Sequence, residues 1–244
     1  MISRQDYQDK TKWKYERPSL AVDSVLLRYH EEELQVLLLR RTARFDGDDQ
    51  AGKLALVGGF QPNGLALEDN LIQKIFEKTG FQLKASQFEQ LATFSEPEQD
   101  SQLWVVSVAF LAYLQVGQKQ AVPTNLTDEL VWVNLWLNQR GKLQLEANGQ
   151  VLLKEYLAFD HFHILQTALL RIKGRLSYQP TVLSILPAKN TMSAYRKFYA
   201  CFWPGYKMMN STDFWRKHKR FFTKTDQKVK TSKRQAALFT WQID

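Results

Sequence analysis

Residues 58–81 read GGFQPNGLALEDNLIQKIFEKTGF, and the reading of this stretch decides the fold. Pro62, Asn63 and Gly64 punctuate a tight turn just after the Gly58-Gly59 pair. Leu67, Leu71, Ile75 and Phe76 then recur at helical spacing, and Gly80 stands where a left-handed cap ends a helix. Residues 54–57 supply an apolar strand leading into the glycines. The expectation is a strand, a glycine turn and one amphipathic helix.

That layout resembles the Nudix box, the loop and helix with which Nudix hydrolases hold metal and diphosphate. The box asks for Gly, five residues, Glu, seven residues, then Arg-Glu-apolar-x-Glu-Glu-x-Gly-apolar. Aligned on Gly59 and Gly80, the frame fits without a gap. Its chemistry has changed: Leu65 stands at the first Glu, Gln73 and Lys74 replace Arg-Glu, Lys78 replaces the last Glu, and Glu77 alone survives. Magnesium needs a cluster of hard oxygen ligands, whereas two of the expected carboxylates are here ammonium groups one helical turn apart. Glu68 cannot substitute, because nine residues before Glu77 it points to the opposite side of the helix. No catalytic or metal-binding residue is therefore expected. A diphosphate pocket is, with Lys74 and Lys78 in the cation's place and Arg40 or Arg41 ending a nearby strand. Gly58 and Gly59 let the backbone approach, Phe60 is placed to stack on a ring, and Glu77 completes the set. The bland alternative is an amphipathic helix with two solvated lysines.

The composition is globular, with 44% hydrophobic and 24% charged residues. A single cysteine, Cys201, excludes an internal disulfide framework and reads as a small core residue. MISRQDYQDK has no secretory character, which makes the cytoplasm the expected compartment. The longest apolar run, 104–116, is too short and too interrupted to span a bilayer and reads as a buried strand. The four histidines show no metal-ligand spacing, and His161 and His163 read as structural. Charge is uneven: residues 1–150 carry 16 Lys+Arg against 20 Asp+Glu, and residues 151–244 carry 17 against 5. Two modules are expected, the second with a polyanionic partner.

Along the chain, residues 1–16 read as a polar arm, and 19–29 with 34–39 as a hairpin around 30–33. Arg40, Arg41 and Arg44 lead into a polar loop. Residues 88–94 and 104–116 are further strands joined by SEPEQDSQ, and Asn148-Gly149 is a hairpin turn between LQLEA and QVLL. The module boundary falls near 156–159, giving a sensing module over 1–157 and a second module over 158–244. There Asp160 is placed to cap a helix with Phe162, Leu165, Leu169 and Ile172 on one stripe. Thr191 caps a second helix with Tyr195, Phe198, Tyr199 and Phe202 inward, broken by Pro204-Gly205. A third starts around 210–212 and runs to Phe222; Ala237, Phe239, Trp241 and Ile243 then alternate as in a half-buried strand. Helices, a basic loop and a terminal strand describe a winged helix-turn-helix. In the third helix Phe214, Trp215, His218, Phe221 and Phe222 share one side, with Arg216, Lys219 and Arg220 opposite and Lys217 on the flank. With Asn210 these form the DNA-facing set, and Lys224, Lys228, Lys230, Lys233 and Arg234 in the following loop suit phosphates. A solvated basic face is the alternative.

Taken whole, the chain resembles the Nudix-related transcriptional regulators of NAD metabolism. YERPSLAVD, LALVGGF, EQLATFSEP, the junction LAFDHFHIL, and LSYQP, LSILP and NSTDFWRK carry the resemblance. It implies an α/β fold: a Nudix α/β/α sandwich with a C-terminal winged helix-turn-helix. It also implies a cytoplasmic homodimer with no membrane association, repressing genes of NAD biosynthesis, salvage or vitamin uptake. Such a regulator binds a palindromic double-stranded operator, senses ADP-ribose through an inactive Nudix domain and requires no cofactor. Three departures stand out. Glu98-Gln99-Asp100-Ser101 replaces an Arg-Asp-Pro-Arg-like stretch, Lys233-Arg234-Gln235-Ala236 replaces the wing's Gly-Arg-Pro, and Asp213-Phe214-Trp215-Arg216-Lys217 replaces Asn-Phe-Arg-Arg-Lys. The alternatives are a regulator sensing a sugar or another nucleotide derivative, and an active Nudix diphosphate hydrolase with an accessory basic domain. RNA binding is disfavoured by the absence of a recognisable RNA module.

Overall fold

The computed structural model describes residues 17–96, 103–125, 127–230 and 235–242. The expected arm, the Glu98–Ser101 departure, Lys233, Arg234 and Ile243 lie outside these residues. Strands β1 (Ser19–His30) and β2 (Glu33–Arg40) form the first hairpin. Glu31 and Glu32 both take left-handed backbone angles, φ 50° and 64°, the geometry of a two-residue hairpin turn even without glycine. Next come β3 (Leu54–Phe60), α1 (Leu67–Thr79), β4 (Phe88–Phe94), β5 (Val105–Tyr113), β6 (Glu129–Leu137), β7 (Leu143–Ala147) and β8 (Gln150–Val151). They build an eight-stranded sheet in the order β4-β5-β1-β3-β2-β6-β7-β8, in which, among the described residues, β1 and β5 pair in parallel and the other neighbouring strands antiparallel. Asn148 and Gly149 are both left-handed, as the Asn-Gly turn requires. Sequence reading had not singled out β6, whose VWVNLWL alternates between the two sheet faces.

Both faces of the sheet are covered, which is why β2 carries the continuous run Val36–Leu39 rather than an alternation. Leu37 and Leu39 join the cluster of Leu71 and Ile75 from α1, while Val36 and Leu38 join the cluster on the other face. That second face is closed by α2 (His161–Arg175), through Ile164, Leu165, Ala168, Leu169 and Ile172. Burying each such side chain is worth about 1.5–3 kcal/mol. The result is the α/β/α sandwich, with α2, the first element beyond residue 157, as its second layer.

The rest of the chain is a short 3-10 segment (Thr181–Ile185), β9 (Lys189–Asn190), α3 (Met192–Ala200), α4 (Gly205–Met208), α5 (Ser211–His218), β10 (Phe222–Lys230) and β11 (Gln235–Trp241). The last two strands pair with β9 in the order β10-β11-β9. Thr191 caps α3 by accepting the Ala194 N–H at 3.2 Å, and Asn210 caps α5 by accepting that of Asp213 at 2.8 Å. Four expectations need correction. The third helix stops at His218, and a 3-10 turn (Lys219–Phe221) leads straight into β10. Lys224, Lys228 and Lys230 therefore ride on a strand paired with β11, not on a loop. The second helix already ends at Ala200, and Pro204-Gly205 opens α4 instead of breaking it; Asp160 sits at the cap position of α2 without bonding to its first turn.

One hydrophobic core runs from the sheet through α2 to Tyr195, Phe198 and Phe214. Tyr29 meets Phe198 edge-on at 4.9 Å, Lys197 pairs with Glu32 at 2.7 Å, and the Leu137 N–H donates to the Cys201 carbonyl at 2.8 Å.

Candidate ligand cavity and basic helix face

The glycine pair is dictated by crowding. A Cβ on Gly58 would lie 2.1 Å from the Val22 carbonyl oxygen and 2.4 Å from Asp23 Oδ1. On Gly59 it would meet the stem of Lys74 at 3.3 Å. Gly80, at φ 75°, closes α1 by donating its N–H to Phe76 O at 2.8 Å.

Beside this turn opens a cavity of about 580 Å³, walled by strands β1, β3 and β5, the loop after β2, and the first turn of α2. Of the eight residues expected at a ligand, Arg41, Gly58, Gly59, Phe60 and Lys78 line it. Arg40, Lys74 and Glu77 do not. Arg40 pairs with Glu129 at 3.0 Å, and Lys74 pairs with Glu77 at 3.1 Å along the helix. Gln73 also donates to Glu77 at 2.6 Å, and that bond leads the effects holding this carboxyl below its usual range. The box's surviving carboxylate is thus occupied by its own helix.

Lys78 behaves differently from Lys74. Its Nζ donates to the Gly58 carbonyl at 2.6 Å, bridging the helix to the glycine turn. Burial lowers its pKa, with Asp128 and Asp23 opposing that effect and Arg44 adding to it. The cavity therefore contains a half-buried ammonium that hydrogen-bonds a carbonyl and lies within electrostatic reach of two carboxylates without pairing to either. Among the described residues, no group of three or more His, Cys, Asp and Glu is placed to hold a metal ion.

Several cavity residues escaped sequence reading. Arg44 pairs with Asp128 at 2.5 Å, and Asp128 also accepts the Thr42 N–H at 2.9 Å. Burial raises the Asp128 pKa, but these bonds outweigh it and leave the carboxyl below its usual range. Asp48 organises the loop, accepting the N–H groups of Arg44 and Gln50, each at 3.0 Å. Asp23 was visible as a lone charge inside an apolar strand, and it accepts the Ser107 hydroxyl at 2.5 Å. His161 Nδ1 accepts the Leu56 N–H at 3.0 Å, so the proton of a neutral ring sits on Nε2, which faces Asp23 at 3.8 Å. Phe159, with φ 52°, donates its N–H to Gln50 Oε1 at 3.1 Å and lies under the Arg41 guanidinium at 4.9 Å. The first turn of α2 is thereby bonded to the same strands and loop that form the cavity.

At the opposite end, α5 buries Phe214 and His218 completely and packs Trp215 against Phe239 at 5.2 Å. Arg216, Lys217, Lys219 and Arg220 are exposed, as are Lys224, Lys228 and Lys230 on β10. Two of the arginines already have partners: Arg216 pairs with Asp213 at 3.4 Å, and Arg220 donates to the Ser177 carbonyl. Asn210, expected on the DNA side, uses its side chain as a cap. Among the described residues no helix is long and apolar enough to cross a membrane.

No family model matches the chain. It is 27% identical over 189 residues to an ADPR-responsive transcriptional repressor, NtrR, of Acinetobacter baylyi, covering 76% of this chain and 66% of that protein. It is 29% identical over 107 residues to an ADP-ribose pyrophosphatase of Methanocaldococcus jannaschii, covering 44% of this chain and 57% of that one. The chain thus spans just under two thirds of the first relative and less of the second. Among solved structures, a MutT/nudix family protein of Enterococcus faecalis matches with TM-score 0.76 at 28% identity, covering 99% of this chain and 94% of that one. NrtR of Shewanella oneidensis, crystallised with a 27mer DNA, matches with TM-score 0.67 at 23% identity over 91% and 93% of the two chains. In fold the chain is accordingly similar to these two structures: a Nudix-type α/β/α sandwich followed on the same polypeptide by a winged helix.

Proposed function

We propose that the chain is a ligand-responsive DNA-binding regulator whose Nudix cavity binds ADP-ribose without hydrolysing it. In this reading residues 1–157 form the sensing module and residues 158–244 the DNA-binding module, with α2 serving both. The observation that carries the proposal is Lys78. A diphosphate carries negative charge suited to this half-buried ammonium, which has Asp128 and Asp23 in electrostatic reach but makes no ion pair of its own, and a Nudix hydrolase would hold its cation where lysine now stands. The exposed basic faces of α5 and β10 suit the phosphates of a duplex. Likeness to a repressor that responds to ADPR supports the same effector here, and regulation of NAD-related genes through a palindromic operator by a homodimer follows as the working model.

The rival, an active diphosphate hydrolase, draws on the likeness to the pyrophosphatase. Incubation with ADP-ribose and magnesium or manganese, read by AMP release, separates the two. The expected result is no turnover, together with a gel shift on the protein's own promoter DNA that ADP-ribose alters. Turnover at ordinary enzyme rates, lost in Glu77→Gln, would establish the rival.

A further inference from the structure

Asp160 holds the cap position of α2, where aspartate normally accepts an N–H of the first turn, yet its side chain makes no such bond. Its Oδ2 is inaccessible to solvent and has no hydrogen-bond partner, while the residue lines the cavity. Burial, and then the nearby Asp23, raise its pKa. A buried acceptor left unpaired destabilises a fold, and this one belongs to a residue that lines a cavity, where a partner from outside the chain can reach it.

The charges around it say what that partner is. Lys78 is within electrostatic reach of Asp128, Arg44 and Asp23, and Asp160 is within reach of Asp23, His161 and His163. Asp23 is thus within reach of both, and the cations Lys78 and Arg44 mark one part of the cavity lining whereas no lysine or arginine figures among the groups acting on Asp160. An anion matches the cationic part and is repelled by Asp160, which instead takes hydrogen-bond donors. Phe45 and Phe60, about half exposed, stand at the mouth, where a base can stack. With a base at the rim and a diphosphate toward Lys78, the innermost group is a sugar. Its vicinal hydroxyls offer donors to the unpaired Oδ2 of Asp160.

We propose that Asp160 is the sugar-reading residue of this cavity, accepting hydrogen bonds from the vicinal hydroxyls of the terminal ribose of a nucleoside diphosphate sugar. The assignment rests on the reading of the cavity as a diphosphate site. It adds a specificity element that rejects ligands ending at the diphosphate, because they leave Asp160 buried and unpaired.

Calorimetry on the full chain with ADP-ribose and with ADP tests it, using wild type, Asp160→Ala and Asp160→Asn. The alanine variant should bind ADP-ribose about tenfold more weakly or worse, with ADP held within about twofold of wild type. Asparagine, which keeps one acceptor, should fall between. Unliganded Asp160→Asn should melt at or above the wild-type temperature, since the unpaired charge is gone. Equal loss for both ligands, no loss for either, or a lowered melting temperature would overturn the assignment. If wild type itself fails to bind ADP-ribose, the functional reading falls together with this one. If wild type binds and Asp160→Ala binds equally well, only the assignment falls.

Discussion

Replacing Lys78 by methionine keeps the length of the side chain and removes its ammonium. In the free protein that ammonium makes one hydrogen bond, to Gly58 O at 2.6 Å, and pays for it with desolvation that lowers its pKa. Loss of the bond and relief of the desolvation oppose each other, so the stability change should be small, about 1 kcal/mol in either direction. Ligand binding should respond far more. Two unit charges about 4 Å apart interact by about 4 kcal/mol at an effective dielectric constant near 20, and part of this is offset by desolvating the phosphate. A charge-assisted hydrogen bond nets about 1.5–3 kcal/mol, or roughly 10- to 150-fold in affinity. Lys74 is the control. It is partly exposed and already paired with Glu77 at 3.1 Å, so Lys74→Met should change affinity by less than about threefold. Isothermal calorimetry with ADP-ribose, alongside thermal melts of the unliganded variants, reads both quantities. Because the Lys78 pKa is depressed, wild-type affinity should also begin to fall with rising pH below the titration range of an ordinary lysine, and Lys78→Met should lack that fall. The reasoning is refuted if Lys78→Met binds like wild type, or if Lys74→Met costs as much.

Gly58→Ala should destabilise the chain by about 1–3 kcal/mol, since its Cβ would overlap Val22 O and Asp23 Oδ1, and a denaturant melt matching wild type would contradict the crowding argument. His218 is fully buried, and burial first, with Lys217 and Arg220 beside it, pushes its pKa down to about 4. The folded state therefore binds fewer protons than the unfolded state between about pH 4 and 6.5, and acidification through that window should remove up to about 3 kcal/mol; urea melts of His218→Phe should show a flatter pH dependence. On the basic face, Arg216→Ala should weaken binding to promoter DNA by about tenfold at specific sites. Replacing Lys224, Lys228 and Lys230 by alanine should instead make the slope of log K against log salt shallower by roughly 0.9 for each phosphate no longer neutralised, read by anisotropy across a salt series.

How much of this was legible in the sequence differs by scale. The frame from Gly59 to Gly80 located β3, the turn and α1 because backbone crowding and the left-handed cap at Gly80 tie glycine to fixed positions. The hairpins were legible locally too, at residues 30–33 from the polar gap between two apolar runs and at Asn148-Gly149 from the turn residues themselves. The caps at Thr191 and Asn210 were legible too, although the second cost Asn210 its expected place at DNA. The cavity was harder. Lys74 and Lys78 share a helical face by periodicity, but one turns toward Glu77 and the other toward the Gly58 carbonyl, a choice made by tertiary neighbours. Asp23, Asp128 and Asp160 come from three distant parts of the chain, and no spacing rule brings them together. Only Asp23 carried a local signal, an acid within the apolar run of β1. The end of the third helix was misjudged because the aromatic pattern of Phe221 and Phe222 continues into β10, where pairing with β11 overrides helical periodicity.

In the proposed regulator, the junction offers a route by which occupancy of one module alters the other. Helix α2 is held at its start by the Leu56 N–H on His161 and by Gln50 on Phe159, and near its end by Arg175 on Glu89. Anchored at both ends and packed along its length, it moves as a rod or not at all. Its apolar face belongs to the same core as Tyr195, Phe198 and Phe214, so displacing its first turn displaces the packing beneath α3 and α5. A ligand that touches Phe159, Asp160 and His161 shifts the balance between two such packings only by its difference in affinity for them. That difference is reciprocal: the factor by which ADP-ribose changes DNA affinity must equal the factor by which DNA changes ADP-ribose affinity. Phe159 is the point to perturb, since its φ of 52° is costly for a bulky residue and its ring lies beneath Arg41. Phe159→Gly adopts that angle freely and removes the ring, uncoupling cavity from helix; because Phe159 also lines the cavity, ADP-ribose affinity falls too, and the coupling is read as a ratio of affinities with and without the other ligand. Paired titrations should give an unchanged DNA affinity without ligand and a coupling factor that falls toward one. A coupling factor equal to wild type, measured from both directions, would exclude this junction as the route.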